Sequence, residues 1–226
     1  MAHMEKEHAL ECINLVAIFK GLPKAQREQL ADLVIQKYYP AHSTIYSAGD
    51  KLGHFVIVQN GQIKLSAYTA EGKEQILKVL LPGEFDGETS LFSGNARNAT
   101  AAALTDVNVC QIDQGAFQNL LANSPELAAN MLKTMSSRII DLEQEKTLTN
   151  TTSVKGRLAH YLLETAASEK QSHFVLPMKK KEIATYLGTT PETVSRVLKQ
   201  FEKTGLIEVD KAKVTILDDD ELAMIV

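Results

Sequence analysis

"EIATYLGTTPETVSRVLKQFEKTGLI", Glu182 to Ile207, decides how the rest of the chain is read. From Gly188 to Gly205 it carries Val194, Val197, Leu198 and Phe201 at the spacing of one buried helix face. Glu192, Ser195, Arg196 and Lys199 fall on the opposite face, at i, i+3, i+4 and i+7. Upstream, "MKKKEIATYLG" (Met178–Gly188) predicts a first helix that stops at Gly188. Thr189 and Glu192 have the spacing of a capping box for the second helix, and Gly205 ends it. Two helices joined by so short a turn, with glycine at the joint, form a helix-turn-helix signature. "LIEVDKAKVTIL" (Leu206–Leu217) then predicts two strands about a basic turn, a wing.

In that arrangement the second helix enters the DNA major groove with its N-terminal half toward base edges. Arginine offers a fork to guanine O6 and N7, glutamate accepts from cytosine N4, and serine reaches bases or phosphate. Glu192, Ser195 and Arg196 lie on that half. Lys199, with Lys179, Lys180 and Lys181 at the start of the first helix, adds phosphate contacts. Thr189 and Thr190, in the turn between the helices, complete the DNA-contact set. A plain solvated face is the competing reading, and the neighbouring elements weigh against it.

Working toward the N-terminus, a helix near 154–168 and a short strand in "HFVLP" (His173–Pro177) precede the motif. "TLTNTTS" (Thr147–Ser153) is polar and poor in helix formers, so it reads as a hinge. Before it, Pro125–Leu148 predicts a long helix. Ala128, Leu132, Met135, Ile139, Leu142 and, past Lys146, Thr149 follow the fours and threes of a coiled-coil seam. A second copy of the helix is the expected partner, and packing against the chain's own barrel is the alternative. Between Ser43 and Ile112 the pattern is short alternating strands: "HFVIVQNGQIKLSAY" with a hairpin signal at Asn60-Gly61, "TAEGKEQILKVL", and "VNVCQID". Such strands imply a jelly-roll sandwich or barrel. Residues 10–35 read as helical, with Pro23 opening "PKAQREQLADLV". The expected division is a barrel over 10–124, a dimerisation helix over 125–148, a hinge over 149–153 and a winged helix-turn-helix over 154–226.

The totals fit a folded protein: 226 residues, 44% hydrophobic and 23% charged. No apolar run suggests a membrane span or signal peptide, so the protein is expected to be cytoplasmic, with no membrane partner. Met1–Met4 resembles a cloning scar. Net charge is −4, yet its distribution is uneven. Residues 151–217 hold 11 Lys and Arg against 7 Asp and Glu, and "DDDE" (Asp218–Glu221) cancels the excess. A basic C-terminal unit suits an anionic partner. The six histidines and scattered carboxylates form no H-E-x-x-H, G-x-S-x-G or Walker motif, so no enzyme is expected. Cys12 and Cys110 form no zinc motif, and no iron–sulfur cluster is expected from two cysteines. Inert buried thiols are the default reading for both.

Across nearly its whole length the sequence resembles the family of the cAMP receptor protein and FNR-type bacterial transcription regulators, most specifically at "EIATYLGTTPETVSRVLKQFEKTGLI". The resemblance implies an α+β protein with a cyclic-nucleotide-binding-type barrel, a long dimerisation helix and a C-terminal winged helix-turn-helix. It matches Glu192 and Arg196 to the family's base-reading pair and Ser195 to the FNR-type serine. Pro191 stands where the cAMP receptor branch carries arginine, which points to palindromic half-sites resembling TTGA. In "PGEFDGETSLFSGNARNATAAAL" (Pro82–Leu104), Gly87, Glu88 and Arg97 match the cradle for a sugar and cyclic phosphate, with Asn98 replacing the usual hydroxyl. "DLEQEK" (Asp141–Lys146) lacks the hydroxyl residues that meet adenine. cAMP, another small anionic effector and a relic pocket all stay open.

FNR-like proteins of lactic acid bacteria with two cysteines resemble the placement of Cys12 and Cys110, which implies a thiol–disulfide switch as an alternative to inert thiols. The resemblance further implies a homodimer on double-stranded DNA, acting with RNA polymerase. A signalling module with vestigial DNA binding is the other reading.

Overall fold

Among the described residues eight strands form the first unit's sheets, β1 (Val34–Tyr39) ahead of the alternating region and β2 (Thr44–Tyr46), β3 (His54–Asn60), β4 (Ile63–Tyr68), β5 (Glu74–Leu80), β6 (Phe85–Asp86), β7 (Thr100–Ala103) and β8 (Val107–Asp113) along it. In this computed structural model the backbone is described for all residues except 1, 52, 70, 152 and 170. The side chains of those residues, and of 2–6, 90, 91 and 141–151, lie outside the description. The described chain divides into two units, 1–67 with 77–140 and 68–76 with 141–226.

The strands form two four-stranded sheets, ordered β1-β8-β3-β6 and β2-β7-β4-β5. Successive strand residues leave opposite faces of a sheet. Val56 and Val58 of β3, with Val107 and Val109 of β8, join Ile63, Leu65, Ala101 and Ala103 in one buried cluster drawn from both sheets. Phe55, Ile57, Cys110 and Ile112 have the other parity and enter a second cluster, built with helices. Those helices are α1 (Ala2–Leu15), a short 3-10 turn (Ala17–Phe19), α2 (Lys24–Ala31), α4 (Gln114–Ala122) and α5 (Pro125–Thr151). The short α3 (Glu88–Ser93) lies between β6 and β7. Phe117 of α4 stacks on Phe55 with ring centroids 4.5 Å apart. Burial on both faces is why β3 reads as a continuous apolar run.

Two local readings are corrected. The helix expected over 10–35 is broken: α1 ends at Leu15, α2 begins after Pro23, and β1 has started by Val34. "VIQKYY" is rich in β-branched and aromatic residues, and pairing with β8 along its whole length decides its state. The Asn60-Gly61 hairpin does not form either, because β3 pairs with β8 and β6 while β4 pairs with β7 in the other sheet. Gly61 has φ +77°, and a Cβ there would collide with the carbonyl of Asp106. Asn60 Oδ1 accepts from the Asn108 amide at 2.9 Å, and the Gln62 amide donates to Thr105 Oγ1 at 3.0 Å. The glycine serves a crossing between sheets that runs against the β7–β8 crossing.

Cys12 on α1 and Cys110 on β8 are joined as a disulfide, with Cα atoms 6.5 Å apart and both residues fully buried. Odd-even parity places Cys110 on the helix side of its sheet, beside Ile112, which is what lets α1 reach it.

Helix α5 runs to Thr151, three residues past the expected Leu148. Leu127 and Met131 face the core at 0% and 2% exposure, while Leu132 and Ile139 are 70% and 58% exposed. Of the expected hinge, 149–151 are helical in backbone, Ser153 precedes the next helix, and Thr152 lies outside the described residues. The side chains of Asp141–Lys146, Leu142 and Thr149 lie outside them as well.

The second unit follows the sequence closely: α6 (Val154–Glu169), β9 (His173–Val175), α7 (Lys180–Tyr186), α8 (Pro191–Lys203), β10 (Ile207–Asp210), β11 (Lys213–Ile216) and α9 (Asp219–Ala223). The sheet order is β10-β11-β9, and Lys211 turns the wing with φ 58°. The acidic run Asp218–Glu221 opens α9, where Asp218 Oδ1 accepts from the Glu221 amide at 2.8 Å. Carboxylates at a helix N-terminus meet a favourable dipole, so this charge has a local structural role.

Candidate nucleic-acid interface and effector pocket

The second helix of the motif is positioned by a short series of local devices. Gly188 takes φ +62°, and the Thr189 amide bonds back to the Ala184 carbonyl at 2.8 Å, which closes α7. Arg157 Nε donates to the Leu187 carbonyl at 3.1 Å, holding the same helix end from α6. Thr190 is the N-cap of α8, its Oγ1 accepting from the Thr193 amide at 3.3 Å, and Pro191 takes the first helical position. This corrects the Thr189–Glu192 capping box: the cap is one residue later, and Glu192 points outward. Half of such a box is present on α7, where Glu182 Oε2 accepts from the Lys179 amide at 3.1 Å, while the Lys179 side chain has no acceptor to complete it.

Val194, Val197, Leu198 and Phe201 are buried, each contributing roughly 1.5–3 kcal/mol. The register they impose leaves Glu192, Arg196 and Lys199 exposed on one face, with Ser195 half-buried between them. Thr190 is exposed and Thr189 half-buried. Lys179, Lys180 and Lys181 are exposed together at the N-terminus of α7. Cations at that end of a helix oppose its dipole, so folding alone does not favour them there. The nine DNA-contact residues read from the sequence therefore lie on α7 or its N-cap, on α8, or in the turn between them.

The residues expected to cradle a phosphate are divided differently. Arg97 is buried, and its Nη1 donates to Asp86 Oδ2 at 2.6 Å while Nη2 donates to the His54 carbonyl at 2.6 Å. The Tyr46 ring covers the guanidinium, 4.0 Å from centroid to carbon, and its hydroxyl donates to the same Asp86 oxygen. Burial, and after it the Asp86 carboxylate, hold the Tyr46 phenol well above its ordinary value, so it remains a donor. Gly87 lies against this group. Glu88 turns to α5 and pairs with Arg138 at 2.7 Å. Arg138 also donates to the Phe85 carbonyl at 2.9 Å and stacks over the Phe85 ring at 4.0 Å. Burial raises the Glu88 carboxyl against the lowering pull of Arg138. Asn98 is exposed, in the bend before β7 between buried Arg97 and Ala99, and makes no part of the cluster.

Sequence reasoning missed Asp86, Tyr46 and Arg138. Asp86 was visible as an acid immediately before the Gly-Glu pair. Arg138 was visible as a charge on the inward stripe of α5, seven residues after Met131. Nothing local marks Tyr46, which arrives from the other sheet. Among the described residues no group of His, Cys, Asp and Glu could hold a metal ion, and no helix is long and apolar enough to cross a membrane.

Two family models match the chain: a cyclic nucleotide-binding domain over residues 36–124 and a Crp-like helix-turn-helix domain over residues 156–225. The Lacticaseibacillus casei protein named "Probable transcriptional regulator flp" is 32% identical over 95% of this chain and 97% of its own length. The fumarate and nitrate reduction regulatory protein of Escherichia coli is 30% identical over 96% of this chain and 90% of its own. Among solved structures, FixK2 from Bradyrhizobium japonicum shares the fold with a TM-score of 0.75 at 22% identity, over 85% of this chain and 96% of that one.

Proposed function

The chain belongs to the Crp/Fnr family of transcription regulators, and from that premise we propose that it reads palindromic TTGA-like sites as a homodimer, under control of the Cys12–Cys110 thiol pair. It is a DNA-binding regulator with an effector-type domain. Crp-like helix-turn-helix regulators bind DNA and function as dimers. The observation that carries the readout is the exposed Glu192–Arg196 pair, one turn apart on the N-terminal half of α8, above a fully buried opposite face. Arg196 supplies the guanine fork, Glu192 a cytosine acceptor and Ser195 a short donor, while Lys199 and Lys179–Lys181 meet phosphates.

Exposed Leu132 and Ile139, on the side of α5 away from its packed stripe, support association through that helix. The paired, buried cysteines support a redox signal: reduction would cut the only covalent tie between α1 and β8 among the described residues. A cytoplasmic regulator with RNA polymerase as its further partner completes the reading.

Fluorescence anisotropy with a TTGA palindrome and a copy altered in one half-site, each with oxidised and reduced protein, tests both parts. We expect preference for the intact palindrome and a change in affinity on reduction. Equal binding to both duplexes would end the readout assignment. Equal affinity in both redox states, with thiol counts showing the expected oxidation change, would remove the switch.

A further inference from the structure

We infer that Asp86 takes the place of a ligand's phosphate on Arg97, so that the barrel is closed to cyclic nucleotides by its own carboxylate. A cyclic phosphate in such a cradle needs charge-assisted donors with free N–H groups. Each terminal nitrogen of Arg97 already donates one of its two N–H groups, Nη1 to Asp86 Oδ2 at 2.6 Å and Nη2 to the His54 carbonyl at 2.6 Å, so its charge is neutralised by the Asp86 carboxylate. The flat face of the guanidinium is against Tyr46, and the Arg97 side chain is only 6% exposed. An incoming phosphate would meet a negative charge already bound to its anchor, and like charges at that range repel strongly where water is excluded.

The loop is built around this internal pair. Gly87 has φ +112°, and a Cβ there would stand 3.2 Å from Arg97 Nη1 and 3.2 Å from the His54 carbonyl. Its missing side chain admits the guanidinium itself. The second polar anchor is answered internally as well, since Glu88 holds Arg138 at 2.7 Å. Four consecutive residues, Phe85 to Glu88, therefore each touch Arg97 or Arg138. A cyclic nucleotide does not fit the residues as they stand, and Asp86 is the residue that decides it.

Calorimetric titration of the full chain with cAMP and with cGMP tests the inference, using adenosine as a phosphate-free control. Wild type should show no saturable binding. Asp86→Asn should gain binding of the phosphate-bearing nucleotides by at least about tenfold, a gain abolished in the Asp86→Asn, Arg97→Ala double variant. Saturable micromolar binding by wild type would overturn the inference, and so would a folded Asp86→Asn chain that gains none. Thermal melting of Asp86→Ala with inorganic phosphate supplies an independent arm. An anion that replaces the lost carboxylate should raise the variant's melting temperature more than the wild type's. Equal shifts in the two proteins would count against the role of Asp86.

Discussion

The barrel pocket and the recognition face use the same side chain to opposite ends. In the pocket, Arg97 and Arg138 are each bonded to a carboxylate and a carbonyl of their own chain and stacked on an aromatic ring. On α8, Arg196 and Lys199 stand exposed, and among the described residues no ion pair holds them. A buried guanidinium must be satisfied by the fold, because leaving it unpaired costs several kcal/mol. An exposed one is satisfied by water and can exchange that water for a base edge. Positive charge is structural in the first region and available for binding in the second.

The comparison breaks first at Arg97. Arg97→Met should lower stability by about 3 kcal/mol, the low end for breaking a buried pair because Asp86 keeps some solvent contact. Urea denaturation measures it, and a loss below about 1 kcal/mol would mean that the pocket pair is not a structural element. The mirror test is Arg196→Ala, which should leave stability nearly unchanged while weakening specific DNA binding by about 1–3 kcal/mol. Competition with nonspecific duplex separates that loss from a general one.

A smaller effect sharpens how the reading face is held. Thr190→Ala removes the cap of α8 and should cost about 1 kcal/mol, read from the same denaturation curves. The smallest concerns Glu88, whose carboxyl is held above its ordinary value of 4.5 by burial. Such a group binds its proton more tightly in the folded state, so its contribution to stability falls as pH rises from 4.5 through the raised value. Glu88→Gln should flatten that part of the stability–pH curve, measured by urea denaturation across that pH range, and an unchanged curve would show that the buried carboxyl is not its source.

The recognition helix was legible because everything that shapes it is local. Gly188, Thr190, Pro191, Gly205 and the four apolar residues between them act within a few turns of chain. The capping residue was misplaced by one position, since threonines at 189 and 190 satisfy the same rule and only backbone geometry separates them. Barrel strands such as β8 were legible from their alternation, but their partners were not. Asn60-Gly61 has every local mark of a hairpin and instead serves a crossing, because which sheet receives β4 is settled by packing against 101–109.

From sequence alone came the family, the winged motif, the outward residues of α8 and the placement of one cysteine in the N-terminal segment and one on a late barrel strand. The motif and the outward face follow from periodicity and turn chemistry, which act over short stretches, and the family from resemblance along nearly the whole chain. Tertiary structure alone decided that Cys12 meets Cys110, that Leu127 and Met131 rather than Leu132 and Ile139 face the core, and that Arg97 is already answered by Asp86. Each of those contacts joins residues far apart in the chain or chooses among residues of equal local merit. Such choices are made by close packing and by the cost of an unpaired buried charge, neither of which exists until the chain has folded.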